Sequence, residues 1–528
     1  TSPEKEKAHE PRPKPRANIT AIQTDIDDRY STYKSIIRQA FAKKESVVVC
    51  GPTVEDVVRL HSQLSKGLEE YCHLMHGGTT KKSVVTIWNK IHTNEVSQHP
   101  SVLFTTPSFL VAMPRGTSTI ILERENHRAY KMLRRPYLDF RTFAEHIAGA
   151  THINLIYGDM PLRVETLWRI SAEEIRQADP FGWRSFSTAQ GLLVDMKAAD
   201  KAGGANGEAA AFKILSDEVK GLIVRTKEES EHMFIFAARR GVSPSTCCGD
   251  CHSIVTCSSC SSPVVLHESK SGTSAPYFLC HRCGERRSAE ETCKVCGSWK
   301  LGTVGIGIDL VEKKIRDAFP DCALFRIDSD STTTEKQART VAAEFLAHPG
   351  SILLGTEMAM SYWWSKVAFS AVISLDSLFA LPDFRIQEKV FSLITSIRAR
   401  TTKNLVVQTR KPDEPALSQA ISGGINHFYD PEIELRKAFD YPPFAVLIKL
   451  TLEGKREAIG KEMQEIRDYL MPYEIDIFPA FTHTVKGNSL LHGLVRIPRD
   501  KWVDPELQKK LKSLPPSVTV KVDSESLL

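Results

Sequence analysis

The chain has 528 residues, which is too long for one hydrophobic core and indicates two to four domains. Hydrophobic residues make up 41% of the sequence and charged residues 25%, as in globular proteins, and we find no run of eighteen apolar residues that would predict a membrane span. The formal net charge of +5 falls to about +1 if eight cysteine thiolates hold two Zn²⁺ (−8 + 4 = −4), so net charge does not indicate a nucleic-acid partner and only local basic patches could.

Short Val- and Ile-rich runs alternate with helical patterns in the first part of the chain. Residues 1–20 are rich in Pro and charge and predict a disordered lead-in. The helical pattern TYKSIIRQAFAKK then precedes the buried-strand run SVVVCGP, and the strand runs SVLFTTP, STIILERE and HINLIYG follow. This alternation predicts an α/β domain with a parallel sheet over residues 21–185.

A second α/β domain is predicted over residues 186–240 and 301–425, with an Ala- and Gly-rich break at 198–211. Its first predicted strand is HMFIFAARRG, and the later ones are CALFRID, SILLGTE, FSAVISLD and LVVQTR. A cysteine-rich segment at 241–300 therefore looks inserted just after the first strand. Residues 426–528 predict a smaller α+β domain.

Nine of the twelve cysteines lie between positions 247 and 296, and eight of them form four C-x-x-C pairs. Two such pairs make the tetrahedral S₄ shell that Zn²⁺ prefers, so four pairs predict two zinc sites, with Cys247 as the spare thiol. Disulfides and an iron–sulfur cluster are the alternatives. The pairing stays open, although in a nested arrangement the outer pairs share one ion and the inner pairs the other. The predicted ligands are Cys248, Cys251, Cys257, Cys260, Cys280, Cys283, Cys293 and Cys296.

These zinc sites are expected to be structural rather than catalytic. All four ligands would be protein sulfurs, which leaves no coordination position for water or substrate. The segment has few large apolar residues, so metal binding would supply most of its folding free energy. The remaining cysteines show no disulfide framework, which predicts a reducing, cytoplasmic compartment.

No standard phosphate-binding motif is present. The sequence has no G-x-x-x-x-G-K-[ST], and no G-x-G-x-x-G follows a strand; the fragment GTVGIGIDL predicts a Gly-rich turn into a helix. Two α/β domains with a break between them are the layout of helicase motors, and also of dehydrogenases and many transferases. The fold therefore does not give the function.

Several motifs occur in a fixed order along the chain. They are IFAARRG, the four C-x-x-C pairs, GIGIDLVEKKIRDAFP, LFRIDSD, LLGTEM, SLFALPDFRIQEKVFSLIT and FYDPEIELRKAFDYPPF, with HGGTTKKSVVTIW and IILERENHRAYK before them. Over residues 25–528 this order resembles the primosomal protein N′ (PriA) family, the superfamily 2 DNA helicases of bacterial replication restart. The resemblance implies two RecA-like helicase lobes, a two-zinc module inserted in the second lobe, and a small α+β C-terminal domain.

The resemblance also implies that the ATP motifs are degenerate. The family's phosphate loop GSGKT would fall at IDDRY, residues 26–30, where two aspartates would repel phosphate and no glycine lets the backbone wrap it. The magnesium-binding DEEH becomes EREN with Arg124 in its second place, and a surviving glutamate is expected to be solvated or salt-bridged. In the arginine motif Lys403 replaces the second arginine. The degenerate positions are Arg29, Glu123, Glu125 and Arg400, and we predict a helicase fold without a working motor, no confident catalytic residue and no firm role for ATP or Mg²⁺.

Basic residues next to aromatic ones suit single-stranded nucleic acid, through phosphate contacts and base stacking. The segment RAYKMLRRP carries four cations around Tyr130, although a solvated helix face explains it equally well. Trp363 and Trp364 favour packing over base stacking. The candidate DNA-binding residues are Arg128, Lys131, Arg134, Arg135, Arg239, Arg240 and Arg282.

The leading hypothesis is a PriA-like replication restart and primosome assembly protein that binds branched or single-stranded DNA at stalled forks without helicase activity. The alternatives are a weakly active ATP-dependent 3′→5′ DNA helicase and a zinc-stabilised protein–protein adaptor. The resemblance implies other restart proteins, the replicative helicase and single-stranded DNA-binding protein as partners of a cytoplasmic, nucleoid-associated monomer that contacts no membrane. The start at Thr1 without a Met indicates a fragment or a processed product.

Overall fold

The computed structural model divides into two compact units, Thr1–Gly182 and Trp183–Leu528. The described residues are 17–92, 99–178, 187–202, 213–237, 245–248, 255–258, 264–267, 276–280, 285–299, 301–304, 306–363, 365–373, 375–376, 378–380, 383–480 and 489–527. Among them no helix is both long and apolar enough to cross a membrane.

The first unit is built on one parallel sheet. Its strands are β1 Asn18–Gln23, β2 Ser46–Cys50, β3 Cys72–Met75, β4 Val102–Thr105, β5 Thr117–Glu123, β6 Asn154–Asp159 and β7 Arg176–Gln177. They are arranged in the order β3-β4-β2-β5-β6-β1-β7, and every recorded pairing between them is parallel. The inner strands are covered on both faces, which explains why β2 is buried at every residue and has an unbroken apolar run.

The helices of the first unit pack on this sheet. They are α1 Ile26–Ala42, α2 Val54–Leu64, α3 Lys81–His92, α4 Phe140–Thr151 and α5 Val164–Ser171. Tyr33 and Ile37 of α1 are buried in one core cluster with Val57 and Leu60 of α2 and Val47 of β2. Thr53 caps α2, since its side chain accepts a hydrogen bond from the Asp56 backbone N–H.

The second unit contains a longer series of elements. Its strands are β8 Gln190–Asp195, β9 Met233–Phe236, β10 Ser245–Cys248, β11 Val265–His267, β12 Tyr277–Leu279, β13 Arg286–Ser288, β14 Leu301–Val304, β15 Leu324–Ile327, β16 Ile352–Gly355, β17 Val367–Val372, β18 Thr401–Thr409, β19 Ala445–Gly454, β20 Asp476–Pro479, β21 Ser489–Pro498 and β22 Thr519–Val522. Its helices are α6 Met196–Ala202, α7 Asp217–Glu228, α8 Ile308–Ala318, α9 Glu335–Ala347, α10 Ala359–Tyr362, α11 Ile386–Arg398, α12 Pro415–Ser422, α13 Ile425–Ala438, α14 Arg456–Leu470 and α15 Pro505–Lys512.

These strands form one parallel sheet and three antiparallel ones. The parallel sheet has the order β15-β16-β9-β17-β18-β8, so the predicted α/β class is confirmed for both units. In the cysteine-rich segment β10 pairs with β14, and β11, β12 and β13 form a small sheet. The last sheet, β20-β21-β19-β22, packs its apolar face against α14.

Two strands lie where the sequence analysis expected none. β1 begins at Asn18, inside the segment 1–20 that was predicted to be disordered, because alternating apolar residues such as Ile19 are buried in the sheet. β8 precedes β9 and pairs with β18 at the sheet edge. The cysteines therefore follow the second strand of this sheet rather than its first.

Candidate functional site

The connection between β1 and α1 is too short for a phosphate loop. β1 ends at Gln23 and α1 begins at Ile26, so two residues join them. The phosphate-cradling motif needs a glycine-rich loop of about eight residues. Asp27 and Asp28 also place negative charge in the first turn of α1, which opposes an anion at this helix N-terminus.

Arg29 and Glu123, two of the degenerate positions, form a buried ion pair. The Arg29 Nε and Nη2 groups donate to the two Glu123 carboxylate oxygens at 3.0 and 2.7 Å, a bidentate geometry. The Tyr33 hydroxyl donates to the same carboxylate at 2.7 Å. Glu123 is fully buried and Arg29 nearly so, and both carboxylate oxygens are engaged inside the unit. The predicted salt-bridged glutamate is therefore confirmed at Glu123. We name this group of three side chains the arginine–glutamate lock.

A glycine on the neighbouring strand makes room for the lock. Gly158 of β6 lies opposite Glu123 of β5 in the parallel ladder. A Cβ atom at Gly158 would stand 1.7 Å from the Tyr33 hydroxyl oxygen, which no neighbour could accommodate. Glycine at this position therefore permits the hydrogen bond between Tyr33 and Glu123.

Arg124 also has its charge compensated within the first unit. Its Nη1 group lies 3.0 and 3.1 Å from the two carboxylate oxygens of Asp56 in α2. Burial alone would raise the pKa of Asp56, but Arg124 and Arg59 outweigh it and lower that pKa. The arginine that the sequence places at a magnesium position thus serves an internal ion pair.

Two further carboxyl groups of the degenerate motifs are buried without an ion pair among the described residues. Glu125 accepts a hydrogen bond from the Arg163 backbone N–H at 2.8 Å through Oε1, while Oε2 has no hydrogen-bond partner there. Burial raises the pKa of Glu125 to about 7. Asp159 accepts from the Asn126 backbone N–H at 2.9 Å, and burial raises its pKa to about 6. Both carboxyl groups therefore bind protons more tightly than in water.

The retained arginine of the second unit is held by backbone carbonyls. The Arg400 Nη1 group donates to the carbonyl oxygens of Met360 and Trp363 at 3.0 and 3.1 Å. Lys403, which replaces the family's second arginine, pairs with Glu229 at 2.7 Å. These contacts give both cations a role within the second unit.

Three of the predicted zinc ligands come together in the cysteine-rich segment. The sulfurs of Cys248, Cys293 and Cys296 all lie within 4.8 Å of one another, and those of Cys248 and Cys296 are 3.5 Å apart. Tetrahedral Zn²⁺ with Zn–S bonds near 2.3 Å requires sulfur–sulfur distances of about 3.8 Å, so this cluster fits the ion. The Val295 backbone N–H also points at the Cys293 sulfur at 3.4 Å, as in a thiolate-binding turn. The first and fourth pairs therefore meet, as the nested arrangement predicts.

The two inner pairs are described only in part. Cys257 and Cys280 are buried in one small apolar cluster with Val264 and Phe278. The Cys257 thiol donates to the Glu285 carboxylate at 2.6 Å. The predicted site residues that lie outside the described residues are Cys251, Cys260, Cys283, Arg239, Arg240 and Arg282, and Trp364 lies outside them as well.

The basic segment after β5 forms a turn followed by a small hairpin, not the helix face that was considered. Residues 128–130 make a single 3₁₀ turn, and Lys131 pairs with Asp139 in an antiparallel bridge. The hairpin tip exposes Arg134 and Arg135, and the Leu133 side chain beside them is 87% exposed. We call residues 128–137 the basic loop.

One of the proposed stacking residues is wrong and one packing prediction is right. Tyr130 is fully buried, and its hydroxyl donates to the backbone carbonyls of Cys50 and Glu123 at 3.0 and 2.7 Å, so its ring cannot stack on a base. Trp363 is also buried and stacks on Phe234 with 4.3 Å between ring centroids, which confirms its packing role.

Comparison with known proteins bears on the resemblance. No protein-family model matches the chain. It is 23% identical over 497 residues to the replication restart protein PriA of Thermotoga maritima, which covers 92% of this chain and 64% of that protein. It is 29% identical over 340 residues to PriA of Chlamydia pneumoniae, covering 61% and 44% of the two chains. The predicted resemblance to PriA is confirmed.

The PriA relatives are longer than this chain. PriA of Haemophilus influenzae is 22% identical over 451 residues, which are 84% of this chain and 59% of that protein. The chain therefore spans about three-fifths of the length of the PriA proteins that it matches over most of its own length.

Solved structures are similar only at a distance. Mss116p bound to ssRNA and AMP-PNP has a TM-score of 0.45 at 12% identity, covering 86% of this chain and 76% of its own. Dbp5 of S. cerevisiae bound to RNA and ADP BeF3 has a TM-score of 0.42 at 9% identity, covering 80% and 88%. Scores below 0.5 do not establish a shared fold.

Sequence reasoning had placed Arg29 and Glu123 at motor positions without pairing them. The available signal was the opposite charge of the two degenerate residues, one next to β1 and the other at the end of β5. Tyr33 and Gly158 carried no motif signal, because a tyrosine in a helix and a glycine in a strand are ordinary alone. Only the register of β5 and β6 brings them together.

Proposed function

We propose that this chain is a PriA-like replication restart protein that binds branched or single-stranded DNA at stalled forks and does not drive a helicase with ATP. The observation that carries the proposal is the arginine–glutamate lock, which holds Arg29 and Glu123 to each other inside the first unit. Similarity to PriA over most of the chain supports the role in replication restart.

The lock argues against nucleotide chemistry on energetic grounds. Removing one partner of a buried ion pair is destabilising by about 3–5 kcal/mol, because the other charge is left uncompensated in a low dielectric. A nucleotide phosphate that recruited Arg29, or a Mg²⁺ ion that recruited Glu123, would have to overcome a penalty of this kind. The two-residue connection between β1 and α1 offers no wrapped backbone to offset it.

Structural zinc belongs to the same proposal. Cys248, Cys293 and Cys296 would hold one Zn²⁺ together with Cys251, and the inner pairs would hold a second. Zinc would supply folding free energy to the small sheets around β10 to β14. The residues of this module would then present a fixed surface, with no ligand position left for chemistry.

DNA contact would use local charge. In the basic loop Arg128, Arg134 and Arg135 are exposed, and phosphate contacts of this kind position a strand without reading its sequence. The exposed Leu133 at the hairpin tip adds an apolar contact that a base could cover.

The test is ATP hydrolysis by the zinc-loaded chain at forked-DNA concentrations where fluorescence anisotropy already reports binding. We expect fork binding with a steep salt dependence and no turnover above buffer. DNA-stimulated turnover that disappears in both Glu125→Ala and Arg400→Ala would contradict the proposal and return the chain to the helicases. Absence of fork binding at low salt would contradict its DNA-binding half and favour the protein–protein adaptor.

A further inference from the structure

A cavity outside the degenerate motor positions lies on the first unit between α1 and the loop that follows α2. Its volume is about 260 Å³, and its lining residues are Lys34, Ile37, Arg38, Leu64, Lys66, Gly67 and Leu68. Small-molecule sites commonly measure roughly 300–1,000 Å³, so this cavity suits a ligand at the small end of that class.

The lower part of the cavity is apolar and belongs to the core of the unit. Ile37 of α1 and Leu64 of α2 are 1% and 3% exposed, and both are members of the main core cluster. Leu68 is partly buried and packs against the same cluster. This floor is therefore held rigidly and favours a flat apolar group above it.

The rim of the cavity is cationic. Lys34 and Arg38 are four residues apart on α1, so their side chains emerge one above the other, and Lys66 faces the cavity from the loop. Among the described residues, no carboxylate is recorded in an ion pair with any of these three cations. Glu69 contacts the same loop, but it accepts the Gly67 backbone N–H at 3.0 Å and does not line the cavity.

We propose that this cavity binds a single phosphorylated nucleoside, either free in solution or as one nucleotide of a strand. The phosphate would lie among Lys34, Arg38 and Lys66, whose combined charge matches a phosphate dianion. The base would cover Ile37, Leu64 and Leu68, since a nucleobase is a flat group with an apolar face. The site uses none of the positions of the arginine–glutamate lock.

The experiment is a calorimetric titration of the full chain with thymidine 3′,5′-bisphosphate. We expect one equivalent to bind, and we expect Arg38→Glu and Lys66→Glu each to weaken binding at least tenfold, because each replaces an attractive charge by a repulsive one. The matched control is Lys43→Glu, which makes the same charge change at the exposed end of α1 outside the cavity, and it should alter affinity less than twofold. Circular dichroism verifies that each variant is folded.

Three results would overturn the proposal. They are no binding by the unaltered chain, an equal loss of affinity in Lys43→Glu, and inorganic phosphate binding as tightly as the bisphosphate, which would remove the base from the site. A 5′-phosphorylated oligothymidylate then identifies the source of the ligand. Displacement of the bisphosphate by the oligonucleotide indicates a strand, and binding of the mononucleotide alone indicates a free nucleotide. Fork binding measured in parallel on the same variants separates this site from the proposed function.

Discussion

Glu125 is a carboxyl group whose environment makes stability depend on pH. Its folded-state pKa of about 7 lies above the ordinary glutamate value because the side chain is buried. Between those two values the folded first unit keeps a proton that the unfolded chain has released, so the free energy of unfolding falls as pH rises through this window. Asp159, with a pKa raised by burial to about 6, acts with the same sign.

We therefore expect Glu125→Gln to stabilise the first unit at pH 8 relative to pH 5. The amide stays neutral at every pH, so the stability difference between variant and parent should grow by about 2–3 kcal/mol over this range. Urea unfolding of the first unit, read by pulse proteolysis, measures it. Glu70→Gln is the control, because Glu70 is exposed. Parallel pH profiles for Glu125→Gln and the parent chain would refute the expectation.

The arginine–glutamate lock permits a second prediction at this scale. Arg29→Met should lower the free energy of unfolding of the first unit by about 3–5 kcal/mol, because Glu123 would stay buried without its partner. The double variant Arg29→Met, Glu123→Met should recover most of that stability, since no charge is then left in the core. Urea denaturation of both variants gives the coupling. Arg176→Met, at an exposed strand residue, is the control, and a decrease below about 1 kcal/mol at Arg29 would be inconsistent with the lock.

Strands β10 and β14 bring the first and fourth cysteine pairs to one place. We expect Cys248→Ser and Cys293→Ser each to reduce bound zinc by one ion per chain, and the double variant to lose no more than either single one. Metal analysis by mass spectrometry after dialysis measures the stoichiometry. Cys322→Ser, outside the C-x-x-C pairs, should leave it unchanged. An additive decrease in the double variant would mean that the two cysteines serve different ions.

The hairpin of the basic loop is an element whose charge can be removed without touching the core. Arg134→Ala with Arg135→Ala should weaken binding to single-stranded DNA and lower the slope of log affinity against log salt by about 0.7 for each phosphate that the protein no longer neutralises. Anisotropy titrations between low and moderate salt provide both quantities. Lys44→Ala with Lys43→Ala removes the same charge from another exposed turn, and an equal effect there would show that only net charge matters.

At the scale of the whole molecule, much of the architecture was accessible from the sequence. Strands such as β2 and β17 are buried at every residue and therefore have continuous apolar runs that periodicity detects. β1 and β8 escaped because each is short, contains polar residues and lies near a sheet edge, and β8 is largely exposed. The parallel sheets of both units followed from alternation alone.

Site geometry was less accessible than fold. The cysteine pairs were found because metal ligands repeat at fixed spacing, and three of them do cluster. Tyr130 was misjudged because an aromatic residue among arginines has the same pattern whether its ring faces solvent or the core. The pairing of Arg29 with Glu123 joins positions 94 apart in sequence, and only strand register determines such a contact.

The two-residue connection between β1 and α1 limits the evolutionary paths open to this chain. Point substitutions could return glycines to positions 24 and 25, but they cannot lengthen a connection whose two ends are fixed by a buried strand and a packed helix. A phosphate-wrapping loop could be rebuilt here only by inserting residues, and the lock would have to be dismantled as well. Descendants that change by substitution alone are thus expected to diversify their surfaces while keeping this turn closed.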